Sequence, residues 1–172
     1  MKTKPLIAKD LAVFLESGLS FTVATRDDEL QTTGIRAWAA RVHPDRTGLT
    51  LFLHEPAAAA TLRNLQRHPE MAVCVDRPSD NCACQLKGRF VASRPAREAE
   101  RADVERQFGS FQAELEAIGI PRAMTAGWAH WPCVAVAMVV TELYEQTPGP
   151  GAGEPLAPRT MPAGTVPPEG AP

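Results

Sequence analysis

The sequence predicts an α+β fold, mainly β, with six antiparallel strands and flanking helices. Three observations carry this. Six segments alternate or run apolar over strand lengths, turn signals such as His43-Pro44-Asp45-Arg46-Thr47-Gly48 separate them, and three stretches show helical spacing.

The chain opens with a short amphipathic helix, because Leu6, Ile7, Leu11, Phe14 and Leu15 recur at helical spacing and Gly18 offers the left-handed residue that ends it. Leu19 to Arg26 alternates Phe21, Val23 and Thr25 against Thr22 and Ala24, a β-branched strand that stops at Asp27-Asp28-Glu29. Ile35 to His54 reads as two strands around the His43 to Gly48 turn. Pro56 and the run Ala57 to Arg67 start a helix that His68-Pro69 ends. Glu70 to Asp76 and Asn81 to Ala92 are the next strands. The longest helix spans roughly Ala96 to Ile118, with Val104, Phe108, Phe111, Leu115 and Ile118 on one side and Gly119 and Pro121 as its stop. A loop with Trp128, His130 and Trp131 leads into Cys133 to Glu145, a strand apolar on both faces and therefore central or at a subunit contact.

Composition narrows the function classes. With 172 residues and 44% apolar content, the chain supports one core, placed at residues 1–146. Half of the prolines fall in 147–172, where large apolar residues are scarce, so this part is expected to be a flexible tail. A formal charge of −2 argues against nucleic acid as a partner, and no apolar run reaches the roughly 20 residues of a membrane span. The N-terminus does not read as a secretion signal, and Cys74, Cys82, Cys84 and Cys133 read as buried free thiols, so a cytoplasmic location is expected. Cys82 and Cys84 have one residue between them, shorter than the usual spacing of paired zinc ligands, and no metal site is assigned.

The first candidate site comes from Arg36 and Arg41. Strict alternation puts Arg36, Trp38 and Ala40 on one face and Ile35, Ala37, Ala39 and Arg41 on the other, one cation on each. A cation on both faces of a half-buried strand points to an anionic ligand for at least one of them. Behind Pro56, the free amides of a helix start, with Thr61 and Arg63 near them, would converge with the arginines on one phosphate. Gln85, Lys87 and Arg89 share one face of their strand and would form a polar pocket wall beside Arg36 and Arg41.

In order and spacing, Arg36 to Arg41 with the following turn and the Leu49 to His54 strand, Thr61-Leu62-Arg63-Asn64-Leu65 with His68-Pro69, and Gln85-Leu86-Lys87-Gly88 resemble the pyridoxamine 5′-phosphate oxidase family of split β-barrels, over residues 5 to 146. The resemblance implies a six-stranded split barrel and a homodimer holding flavin mononucleotide (FMN) between subunits. It places Arg36 and Arg41 at the ends of the cofactor strand, the backbone of Ala37 and Trp38 against the ring, and Leu53 and His54 at the ring and ribityl chain. Gln85 matches a cofactor-contacting glutamine, and Lys87, Gln85 or Arg41 would sit near the pyrimidine edge. Where many members carry a serine, arginine and lysine cluster for the phosphate, this chain has Ala57-Ala58-Ala59-Ala60, which leaves Thr61, Arg63 and helix amides. The arginine-rich ending used for the B6 substrate is not recognisable, so vitamin B6 synthesis is not implied.

The resulting expectation is an FMN-dependent oxidoreductase acting on a small organic substrate, with a nicotinamide donor and no catalytic residue named. A split barrel holding haem or a deazaflavin is the alternative, with His54 or His130 as axial ligand for haem. A third is a dimeric interaction protein with an empty pocket.

Overall fold

The computed structural model describes residues 6–156. The six strands are β1 (Ser20–Arg26), β2 (Thr32–Val42), β3 (Gly48–His54), β4 (Glu70–Asp76), β5 (Ala83–Pro95) and β6 (Cys133–Glu145). They close into a barrel in the order β1-β2-β3-β6-β5-β4, with every pairing antiparallel. Among the described residues four α-helices flank it: α1 (Lys9–Leu15), α2 (Ala59–Arg67), α3 (Arg101–Ala117) and α4 (Arg122–Thr125). The sequence reading missed α4, which is a single turn. It also began α2 at Ala57, where the short 3-10 turn Glu55–Ala57 ends, and ran α3 through the 3-10 turn Glu98–Glu100 that precedes it.

Alternation fills the barrel. Phe21 and Val23 of β1, Leu49, Leu51 and Leu53 of β3, Val73 and Val75 of β4, Leu86 of β5, and Val136 and Met138 of β6 pack into one buried cluster. Each such side chain removed from water contributes about 1.5–3 kcal/mol. Gly88 lets β5 and β6 approach closely, since a Cβ there would stand 2.1 Å from the Val139 carbonyl oxygen. Gly18 has the expected left-handed φ of 90°, and a Cβ on it would meet the Gln107 carbonyl oxygen and Ser110 Cβ of α3 at 2.5 Å. The turn after α1 is thus glycine both for its φ and for the contact with α3.

Strand β6 lies between β3 and β5, which accounts for its apolar character on both faces. Residues 147–156 turn back along its end, where Tyr144 pairs with Pro155 and the Leu156 N–H donates to the Leu143 carbonyl at 2.9 Å. This stretch lies against its own barrel, and the rest of the expected tail is outside the described residues. Cys84 and Cys133 are buried thiols as expected, and burial pushes both up to about 12. Cys74 is exposed instead, because it lies on the outer face of β4, and Cys82 is half-buried. No helix among the described residues is long and apolar enough to cross a membrane.

Strand β2 has an unsupported edge. Its pairing with β1 ends at Ala37 opposite Phe21, so the residues from Trp38 to Val42 have no strand on that side. Side chains take the strand's place. The Ala40 N–H donates to Gln107 Oε1 at 3.0 Å, Gln107 Nε2 donates back to the Ala40 carbonyl at 2.8 Å, and the Val42 N–H donates to Glu16 Oε1 at 2.7 Å. Gln107 is 2% exposed, so nothing else is available to those backbone groups. Gln107→Leu strands one buried donor and one acceptor and is expected to cost about 2–4 kcal/mol. Urea unfolding reads that loss, and amide exchange at Ala40 should quicken with it.

Candidate functional site

A register shift between Ala37 and Ala39 decides how β2 presents its side chains. Ala37 and Ala40 join the barrel core, whereas Ala39 packs outside with Phe52 and Trp38. A strand without the shift would put Arg36 and Arg41 on opposite faces. The bulge turns both to the outer face, beneath α3, which corrects the one-cation-per-face reading.

The two arginines nevertheless do not share a cavity. Arg36 is half-buried. Its guanidinium carbon lies 5.8, 5.1 and 5.9 Å from the ring centres of Trp38, Phe111 and Trp128, and Nη1 donates to Ser20 Oγ at 3.3 Å. Burial lowers its pKa below the usual arginine range, an effect that the more distant charge of Asp76 partly offsets. No carboxylate among the described residues forms an ion pair with it.

Arg41 is committed elsewhere. It pairs with Glu100 at 3.1 Å and Asp103 at 2.6 Å and stacks over Phe52 at 5.7 Å. Glu100 is 5% exposed and is also held by two hydrogen bonds from Arg94 at 2.7 Å and by the Arg97 N–H at 2.8 Å. Chiefly because of Arg94, and then of the Arg97 amide and Arg41, the Glu100 carboxyl is held down at about 2, against the opposing pull of burial. These ion pairs pin the start of α3 to β2 and β5.

Above the β2 face lies an aromatic cluster that sequence spacing did not reveal. Trp38 meets Phe108 edge-on at 5.2 Å and Trp128 at 6.0 Å, and Phe108 stacks on His130 at 4.2 Å. His130 Nδ1 donates to the Trp128 carbonyl at 3.1 Å. Among the described residues, two buried side-chain polar atoms have no hydrogen-bond partner: Trp38 Nε1 and Thr61 Oγ1.

The remaining candidates divide by position. Ala37 and Leu53 are core residues with 1% and 0% of their surface exposed, so only their backbone can meet a ligand. His54 is half-buried at the end of β3. Thr61 is buried and Arg63 exposed, because two helical positions differ by about 200°. They do not converge with each other or with Arg41 on one phosphate. Asn64, not singled out from sequence, ties α2 to the barrel by donating to Thr25 Oγ1 at 3.2 Å and Thr33 Oγ1 at 3.4 Å.

Gln85 and Lys87 are not beside Arg36 and Arg41. In the closed order β5 is three strands from β2 in either direction, so it forms the opposite wall. There Gln85 Nε2 approaches Cys74 Sγ at 3.5 Å and Lys87 Nζ lies 4.9 Å from the Tyr144 ring centre. Lys87 also lines an open cavity of about 690 Å³ with Arg26, Arg89, Glu70, Met71 and Val139. No group of three or more histidine, cysteine or acidic side chains among the described residues is placed to hold a metal.

No protein-family model matches the sequence, and no curated protein matches it. Solved structures do match the fold. The HupZ protein of Group A Streptococcus aligns with a TM-score of 0.52 at 12% identity, over 85% of this chain and 99% of that one. A Lactobacillus delbrueckii protein provisionally assigned as a pyridoxamine 5′-phosphate oxidase aligns with a TM-score of 0.50 at 12% identity, over 83% of this chain and 95% of that one. The chain is a split β-barrel of the pyridoxamine 5′-phosphate oxidase-like fold. In this split barrel the α3 ion pairs close the Arg41 end of the outer face of β2, Trp38 stays half-buried with Trp128 exposed beside it, and the β5 wall is open.

The pH dependence of the Glu100 cluster follows from its depressed carboxyl. Its stabilising effect is complete above about 4.5 and is lost as the pH falls toward about 2. The stability gap between the wild type and Glu100→Gln should therefore be constant above that window and shrink within it. Unfolding curves across the acid range read this gap.

Proposed function

We propose that the protein is a homodimeric FMN-binding oxidoreductase acting on a small organic substrate, with a nicotinamide as possible donor. The observation that carries this reading is the identity of the two unpartnered buried polar atoms. Trp38 Nε1 and Thr61 Oγ1 belong to β2 and α2, the elements against which the family resemblance sets the cofactor. A buried N–H or hydroxyl without a partner costs about 1–3 kcal/mol, and a ligand rich in acceptors removes that cost.

The ring end of a flavin suits this face. Its carbonyls and ring nitrogens accept hydrogen bonds, Trp38 offers an N–H, and Trp128 is an exposed aromatic surface beside it. The phosphate end is less well met, since Arg41 is already paired and Ala57 to Ala60 supply no side-chain donor. When bound, FMN supplies hydride chemistry at its ring. The chain's own part is to hold and orient the ring, with Arg36 placing a positive charge nearby.

The division of the candidate residues supports a homodimer. One ligand can touch both the β2 and α2 set and the β5 pair of Gln85 and Lys87 only if a second copy supplies its β5 wall. The open cavity on that wall, at about 690 Å³, is within the range of roughly 300–1,000 Å³ typical of cofactor sites.

Flavin bands in the visible spectrum of the purified protein, or quenching of added FMN fluorescence, support the assignment. A colourless protein that leaves FMN fluorescence unchanged overturns it. Trp38→Phe keeps the ring and deletes the N–H, so it is expected to weaken FMN binding by about 3- to 10-fold while unfolding stability holds or rises. Equal affinity in that variant would remove the indole N–H from the site.

A further inference from the structure

This inference rests on the flavin reading above and concerns which end of the ligand the protein recognises. A phosphate monoester carries nearly two negative charges at neutral pH, and sites that read it align several charged donors on its oxygens. The outer face of β2 does not offer that. Around Arg41, the carboxylates of Glu100 and Asp103 sit on its guanidinium and are shared with Arg94 and Arg106, so the donors of Arg41 are already engaged. An anion approaching Arg41 meets two carboxylates already seated on its guanidinium.

Arg36 is the cation of that strand without an ion pair among the described residues, and it is enclosed by three rings with Ser20 as its hydrogen-bond partner. Arg63, the cation of α2 nearest that helix start, is exposed on the side away from the buried Thr61. What this face does supply is aromatic surface from Trp38 and Trp128 and one buried N–H without a partner. We propose that the protein holds a flavin by its ring system rather than by its phosphate, so that riboflavin and FMN bind with similar affinity.

The test titrates the full-length protein, freed of any co-purified flavin, with riboflavin and with FMN at the same ionic strength, following flavin fluorescence. Dissociation constants within about tenfold of each other support the proposal, because one charge-assisted hydrogen bond to the phosphate would exceed that ratio. FMN binding that is tighter by more than this overturns it and leaves the flavin reading intact. Binding of neither flavin withdraws the flavin reading and this inference together. As a second arm, Glu100→Gln with Asp103→Asn releases Arg41, and FMN is then expected to gain about tenfold over riboflavin. An unchanged ratio in a variant with wild-type circular dichroism overturns the role given to the Arg41 ion pairs. If that variant does not fold, the wild-type comparison still decides the proposal.

Discussion

The structure depends on how one strand solves an edge problem. Strand β2 is longer than its neighbour β1, and beyond Ala37 its backbone would face an apolar layer without partners. The Gln107 side chain supplies both a donor and an acceptor to Ala40 and so stands in for a strand. Because Gln107 is on α3, satisfying the edge also fixes where the longest helix lies. That position brings Phe108 and Phe111 onto Trp38 and Arg36, and Glu100 and Asp103 onto Arg41.

The same docking determines the electrostatics of the face. Polar groups sealed in low dielectric need partners, and each partner that α3 brings is a group no longer available to a ligand. Arg41 is satisfied by Glu100 and Asp103, and Glu100 by Arg41 and Arg94, so their charges serve the fold. Trp38 Nε1 is left without an acceptor, although three aromatic side chains pack within its cluster. Unmet hydrogen-bonding capacity and aromatic surface therefore coincide at one place on the barrel, and charge compensation is concentrated at another.

Much of the fold was legible in the residues. The alternation in Phe21, Val23 and Thr25, the turn from His43 to Gly48 and the stop at His68-Pro69 all depend on neighbours close in sequence, and these elements stand where they were expected. The candidate site was only partly legible. The β2 arginines, Trp38 and Thr61 were named, but the division of faces was wrong, because a bulge inserts one residue and inverts every position after it. Gln85 and Lys87 were assigned to the same wall as Arg36, which holds only if β5 neighbours β2. Gln107 and Asn64 were passed over, because a polar residue within an amphipathic helix looks solvated until its partner is known.

The sequence by itself determined the strands, the turns, the left-handed glycine before β1 and the mainly β class, since these follow from side-chain period and backbone preference over a few residues. The tertiary structure alone decided the strand order, the bulge, the capture of Arg41 by Glu100 and Asp103, and the two polar atoms left unpaired. Those outcomes depend on groups 60 or so positions apart in the chain, such as Ala40 and Gln107. Local periodicity carries no information about which of many distant polar groups will reach a given backbone edge first. Only closure of the barrel, by fixing all of the strand neighbours at once, makes that choice.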